Sequence, residues 1–178
     1  MTLPDPFAVL GLPEAFDVDL PKLEKTHREL SRALHPDRYT SAPAGERKAA
    51  LERAVQVNEA FRAVRDPLTR AEALFTKRGI AIGDGHEPKA SPAFLMDVLE
   101  KREALSDAKD AKDLAAVRAL GEEAEAGVAR VERALAQAFA EGSRDTLNEK
   151  LGLLGELRFF RRFADEVSAV EEELIDAS

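Results

Sequence analysis

Leu30-Ser31-Arg32-Ala33-Leu34-His35-Pro36-Asp37-Arg38-Tyr39 is the stretch whose reading decides the fold. A residue before proline is pushed out of the α region, so the helix running through Leu30 has to end near Leu34. His35 and Asp37 are then displayed on an exposed turn, for which Pro-Asp is ordinary chemistry. Upstream, residues 19–34 read as an amphipathic helix with Asp19 as its N-cap. At ~100° per residue, Leu23, His27, Leu30 and Leu34 fall within ~60° of one another, and Lys25, Arg28 and Arg32 cluster roughly opposite. One face is core and the other is basic. Downstream, a helix over residues 44–65 lines up Leu51, Ala54, Val57, Asn58, Phe61 and Val64 on one stripe, which predicts antiparallel packing against the basic helix.

Outside this hairpin the same punctuation recurs. Asp5-Pro6 before Phe7-Ala8-Val9-Leu10-Gly11 predicts a short helix, and Asp66-Pro67 opens another that stops at Gly79. Residues 80–90 hold Gly83, Gly85 and Pro88 without helical periodicity and are expected to form a short linker. Beyond it, helices are expected from Ser91-Pro92 to about Ser106, from about Asp110 or Asp113 to Glu141, and from about Asp145 to Ile175. No segment alternates with period two, so the chain is predicted all-α: residues 1–79, the linker 80–90, and an antiparallel three-helix bundle over residues 91–178.

With 178 residues and 44% hydrophobic composition the chain can bury a real core. It has no apolar run of ~18 residues to span a membrane and no signal-like start, and the simplest expected location is the cytoplasm. There is no cysteine, which excludes disulfides and thiolate ligation of a metal or cluster. The net charge of −8 is unevenly spread: residues 1–78 carry 13 Lys+Arg against 12 Asp+Glu, and residues 79–178 carry 13 against 22. An acidic half without a basic stripe argues against nucleic acid as a partner.

An enzyme reading of His35 and Asp37 needs a nucleophile, yet only Ser31 and Ser41 lie close by, with nothing to activate either hydroxyl. Pro36 instead fixes the two side chains as a rigid hydrogen-bonding pair suited to recognition. His27 reads as a core-boundary residue and His86 as a linker residue without a second ligand, so no metal or cofactor is expected. On the helix that starts at Ser91, Phe94, Val98 and Leu105 share one arc facing the bundle. Leu95, Met96 and Leu99 lie outside it and run into Glu100, Glu103 and Asp107, a wider apolar surface than the bundle's own packing requires: either a binding patch or a face packed on residues 1–79. Phe159 sits at the edge of the arc formed by Phe160, Phe163, Val167 and Leu174, where an aromatic can be core or contact.

Residues 5–78 resemble a J-domain through Asp5-Pro6-Phe7-Ala8-Val9-Leu10-Gly11-Leu12, the basic helix, His35-Pro36-Asp37-Arg38, Val57-Asn58-Glu59-Ala60-Phe61 and Asp66-Pro67-Leu68-Thr69-Arg70-Ala71-Glu72. Tyr39, Ser91-Pro92-Ala93-Phe94-Leu95-Met96 and Leu157-Arg158-Phe159-Phe160 extend the likeness to the HscB family, co-chaperones of iron-sulfur cluster assembly. The resemblance implies a non-enzymatic protein that stimulates the ATPase of an HscA/DnaK-type chaperone. Lys25, Arg28, Arg32, His35, Pro36, Asp37 and Arg38 would meet that chaperone. Leu95, Met96, Leu99, Glu100, Glu103, Asp107 and Phe159 would bind an IscU-type iron-sulfur scaffold protein, Asp107 standing where a glutamate is common. Two other readings stay open on the residues alone: a J-domain protein with a different client, and a helical interaction module without a chaperone link.

Overall fold

The computed structural model describes residues 4–83, 85–86 and 90–177. Its helices are α1 (Pro6–Leu10), α2 (Leu20–Ala33), α3 (Ala44–Arg65), α4 (Pro67–Lys77), α5 (Pro92–Asp110), α6 (Leu114–Glu141), α7 (Arg144–Glu149) and α8 (Leu153–Asp176), with a 3-10 turn at Pro36–Tyr39. No strand occurs among the described residues. The chain divides into two compact units, Met1–Ile80 and Ala81–Ser178.

Capping sets most helix starts. The side chains of Asp5, Asp19, Asp66, Ser91, Asp113 and Ser143 each accept a first-turn backbone N–H. Each such bond satisfies a donor the helix itself leaves orphaned. The first unit closes around Phe7, Leu10, Phe16, Leu23, Val57, Val64, Ala71, Leu74 and Phe75, all buried. Cross-links between α2 and α3 pair low numbers with high ones: Glu24 with Arg65 at 3.9 Å, and the His27 ring with Asn58 at 2.8 Å and stacked on Phe61 at 4.0 Å. The hairpin is therefore antiparallel.

Two residues of this unit depart from the sequence reading. Leu51, expected on the buried stripe of α3, is exposed, because α2 stops at Ala33 and leaves no helix opposite it. Ile80, expected in the linker, is buried: Gly79 takes a left-handed φ of 71° and the Ile80 N–H bonds back to the Phe75 carbonyl. Of the expected linker, Asp84, Glu87, Pro88 and Lys89 lie outside the described residues. Arg70 is also buried. Its guanidinium lies over the Phe16 ring at 4.8 Å, and Nη1 donates to the carbonyls of Val64 (2.8 Å) and Arg65 (3.4 Å), which close the end of α3. A cation is tolerated there because these hydrogen bonds offset its lost hydration.

In the second unit α6 runs antiparallel to α8 and α5 runs parallel to α8. Contacts between α6 and α8 step in opposite directions, from Arg118–Glu171 (2.6 Å) to Arg130–Glu156 (4.0 Å). Those between α5 and α8 advance together, from Arg102–Glu166 (3.1 Å) to Lys109–Glu173 (2.8 Å). On the face it turns to α8, helix α6 carries Gly127; a Cβ there would sit 2.4 Å from the Phe160 ring. The third long helix expected from Asp145 to Ile175 is divided into α7 and α8, with Leu147, Leu151 and Leu154 all buried across the break. Helix α5 continues past Ser106 to Asp110, and the turn into α6 places Lys112 at φ 53°.

Candidate functional sites: the hairpin tip and the outer face of α5

The turn between α2 and α3 is short and tied to its surroundings. His35 takes the extended backbone that the following proline requires (φ −61°, ψ 133°), and Pro36–Tyr39 then wind into one 3-10 turn. The Tyr39 hydroxyl donates to the Ala33 carbonyl at 3.3 Å, fastening the turn to the last residue of α2. The Asp37 backbone N–H donates to His35 Nδ1 at 3.3 Å, while an Asp37 carboxylate oxygen lies 3.4 Å from the same nitrogen. One ring nitrogen cannot accept from the amide and donate to the carboxylate at once. The amide can only donate, and in its contact Nδ1 is the acceptor. The carboxylate, 86% exposed, is left directed at solvent and available to an outside cation.

Beside the turn, Lys25, Arg28, Arg32 and Arg38 are exposed, as are His35 and Pro36. The face is less purely basic than its arc implied. Lys25 lies 4.0 Å from Glu29 and Arg28 lies 3.9 Å from Glu24, both one turn apart on the helix. Such exposed pairs contribute only a few tenths of a kcal/mol, about 0.3–0.5, so their cations remain exchangeable toward a partner.

Behind the hairpin, Lys77 reaches both Asp5 and Glu14, the latter at 2.6 Å. Partial burial pushes the Lys77 ammonium down, but the hydrogen bonds to Asp5 and Glu14 outweigh it and hold its pKa above the ordinary lysine value. Burial likewise pushes the Asp5 carboxyl up; the Lys77 hydrogen bond and the Phe7 amide more than reverse this, leaving it below the usual carboxylate value.

On α5, Leu95 (55%), Met96 (55%) and Leu99 (50%) are among the most exposed large apolar side chains among the described residues. Glu100, Glu103 and Asp107 are exposed on the same side. Arg102, which lies two turns beyond Leu95 on the same stripe, reaches Glu166 of α8, so Leu95 flanks the α5–α8 seam. Phe159 is at that seam but faces inward: it is half-buried, meets Phe94 edge-on at 5.5 Å and stacks on Phe163 at 5.6 Å. Only its rim remains for an outside contact. On the opposite flank Lys101 bridges Asp97 (3.6 Å) and Glu123 (2.9 Å). The Glu123 hydrogen bond is the largest influence on it, partial desolvation opposes, and its pKa is raised.

Sequence reading missed two features of these sites. They are the exposure of Leu51 together with Val55, and the His27–Asn58 link that joins the helices behind the basic face. The first had a signal: an antiparallel register that ends at His35-Pro36 leaves Leu51 without a facing helix.

Comparison with known proteins identifies the family and the fold. The family described as "HSCB C-terminal oligomerisation domain" matches residues 90–168. The co-chaperone protein HscB homolog of Bordetella pertussis is 36% identical over 171 residues, covering 96% of this chain and 98% of the relative. That of Pseudoalteromonas atlantica (strain T6c) is 34% identical over 172 residues, with the same coverage. The structure of chaperone HscB from Vibrio cholerae superposes with a TM-score of 0.83 at 30% identity, covering 96% of this chain and 99% of that one. Human co-chaperone HscB, at 24% identity, 93% coverage of this chain and 81% of its own, shares the fold with a TM-score of 0.81. An all-α chain with a J-domain-type hairpin, a C-terminal helical bundle and this extent of likeness belongs to the HscB family of co-chaperones.

Proposed function

We propose that the chain stimulates the ATPase of an HscA/DnaK-type chaperone through its hairpin and delivers to it an IscU-type iron-sulfur scaffold protein bound on α5. In this reading residues 1–79 act as the J-domain, residues 80–90 as the linker and residues 91–178 as the scaffold-binding bundle. The observation that carries it is the Asp37 carboxylate, 86% exposed, on a turn fixed by Pro36 and Tyr39. A carboxylate held in this way stands open to an arginine of the partner ATPase. His35 and Pro36 set the turn; Lys25, Arg28, Arg32 and Arg38 supply the positive field that speeds encounter with an acidic surface. The chemistry belongs to the partner.

On the other unit, Leu95, Met96 and Leu99 are the apolar anchors, Glu100, Glu103 and Asp107 the acidic rim, and Phe159 a support whose edge reaches the seam. Steady-state ATPase measurements with an HscA-type chaperone test the first half. Asp37→Asn is expected to abolish stimulation at an unchanged melting temperature, and normal stimulation by that variant would overturn the reading. Calorimetric titration of an IscU-type scaffold tests the second half. Leu95→Ala with Leu99→Ala is expected to weaken binding about tenfold or more, each anchor contributing upward of ~1 kcal/mol, while scaffold-independent ATPase stimulation stays intact.

A further inference from the structure

The first unit carries an apolar surface that the proposed chaperone contacts leave unused. Leu51 and Val55, one turn apart on α3, are 58% and 48% exposed. Their position follows from the register. Leu51, Asn58 and Arg65 repeat every seven residues and so form one stripe, and the latter two are the residues that meet His27 and Glu24 of α2. Leu51 is the overhanging end of that seam, level with the turn where α2 has already stopped. Val55 lies one turn further along, on the stripe of Arg62. The 3-10 turn that displays Asp37 packs against the same helix.

We infer that Leu51 and Val55 form an apolar contact for the same chaperone that meets His35-Pro36-Asp37, docking against an apolar surface beside that partner's arginine. The pair is continuous with the proposed chaperone surface, since the turn that displays Asp37 packs on the same helix. The charges around it are of both signs: Lys48 pairs with Glu52 at 3.8 Å, and Glu59 and Arg62 are exposed further along α3. The inference rests on the chaperone reading above.

Leu51→Gln with Val55→Gln, assayed as full-length chain against an HscA-type ATPase, tests it. The concentration for half-maximal stimulation is expected to rise about tenfold or more, with maximal stimulation retained and the loss persisting at high salt, unlike that of Arg28→Glu with Arg32→Glu. Leu51→Met with Val55→Ile keeps the surface apolar and should behave as the parent chain. Unchanged half-maximal concentration for the glutamine variant overturns the proposal. So does a collapsed melting transition, which would make the pair core, or a parent dimer in sedimentation that the variant converts to monomer. Asp37→Asn run alongside separates the failures: if it too stimulates normally, the chaperone reading itself falls; if it alone loses stimulation, only the apolar contact does.

Discussion

Helices α2 and α5 stand apart from the helices they pack against. Helix α2 buries one side chain, Leu23, and α5 buries two, Leu105 and Ala108, whereas α6 and α8 bury six each. The two least buried long helices carry most of the proposed contact residues. Each is held by a few points, α2 by Leu23 and the His27–Phe61–Asn58 seam, α5 by Leu105, Ala108 and its ion pairs. Stability and display thus fall largely to different helices. A helix that gives most of its circumference to a partner has little left to stabilise its own unit.

The largest test of this division is Phe160→Ala. The ring is 2% exposed and fills the space above Gly127, so the variant should lose about 3–5 kcal/mol in denaturant unfolding of the full chain. On the presenting side, Phe61→Ala removes a half-buried ring stacked on His27 and should cost about 2 kcal/mol, less than a fully buried phenylalanine. Equal losses from the two would erase the distinction.

The Asp5–Lys77–Glu14 cluster sharpens the comparison through pH, because the first unit alone has a paired carboxylate with a clearly lowered pKa among the described residues. A lowered carboxylate contributes stability that is present above its unfolded value of 3.8 and lost as pH falls through the folded value. The raised Lys77 contributes below 10.5 and is lost as pH rises through its folded value. The difference in melting temperature between the parent and Asp5→Asn should therefore be widest near neutral pH and close at both extremes. A gap that stays constant down to the acid end would assign Asp5 to capping alone.

The smallest expected effect is a gain. Lys112 holds a left-handed φ of 53° in the α5–α6 turn, where its N–H bonds to Lys109 and that of Asp113 to Ala108. Glycine has no Cβ to strain there, and Lys112→Gly should stabilise the bundle by about 0.5–1 kcal/mol. Loss of stability would show that the lysine side chain makes up for the strain.

Most of the fold was legible because its boundaries are written in local chemistry. Asp5-Pro6, Asp19, Asp66-Pro67, Ser91-Pro92 and Asp113 cap the helices expected from them. The break between α7 and α8 was hidden because Leu147, Leu151 and Leu154 keep the spacing of one uninterrupted helix, so periodicity runs through it. Lys112 concealed the end of α5 for the opposite reason, a helix terminus without the glycine that usually marks it. At the sites, exposure of Leu95, Met96 and Leu99 followed from the width of their arc on one helix. Phe159, open between core and contact on its own helix, is turned inward by Phe94 arriving from α5, with Phe163 one turn along α8 completing the stack.

The hydroxyl that fastens the turn to Ala33 belongs to the only tyrosine in a chain with no tryptophan. Ultraviolet emission from the unmodified protein therefore originates two residues from Asp37. Docking on the hairpin tip, by a partner lacking indoles or carrying a quenched one, has a built-in optical reporter that needs no label.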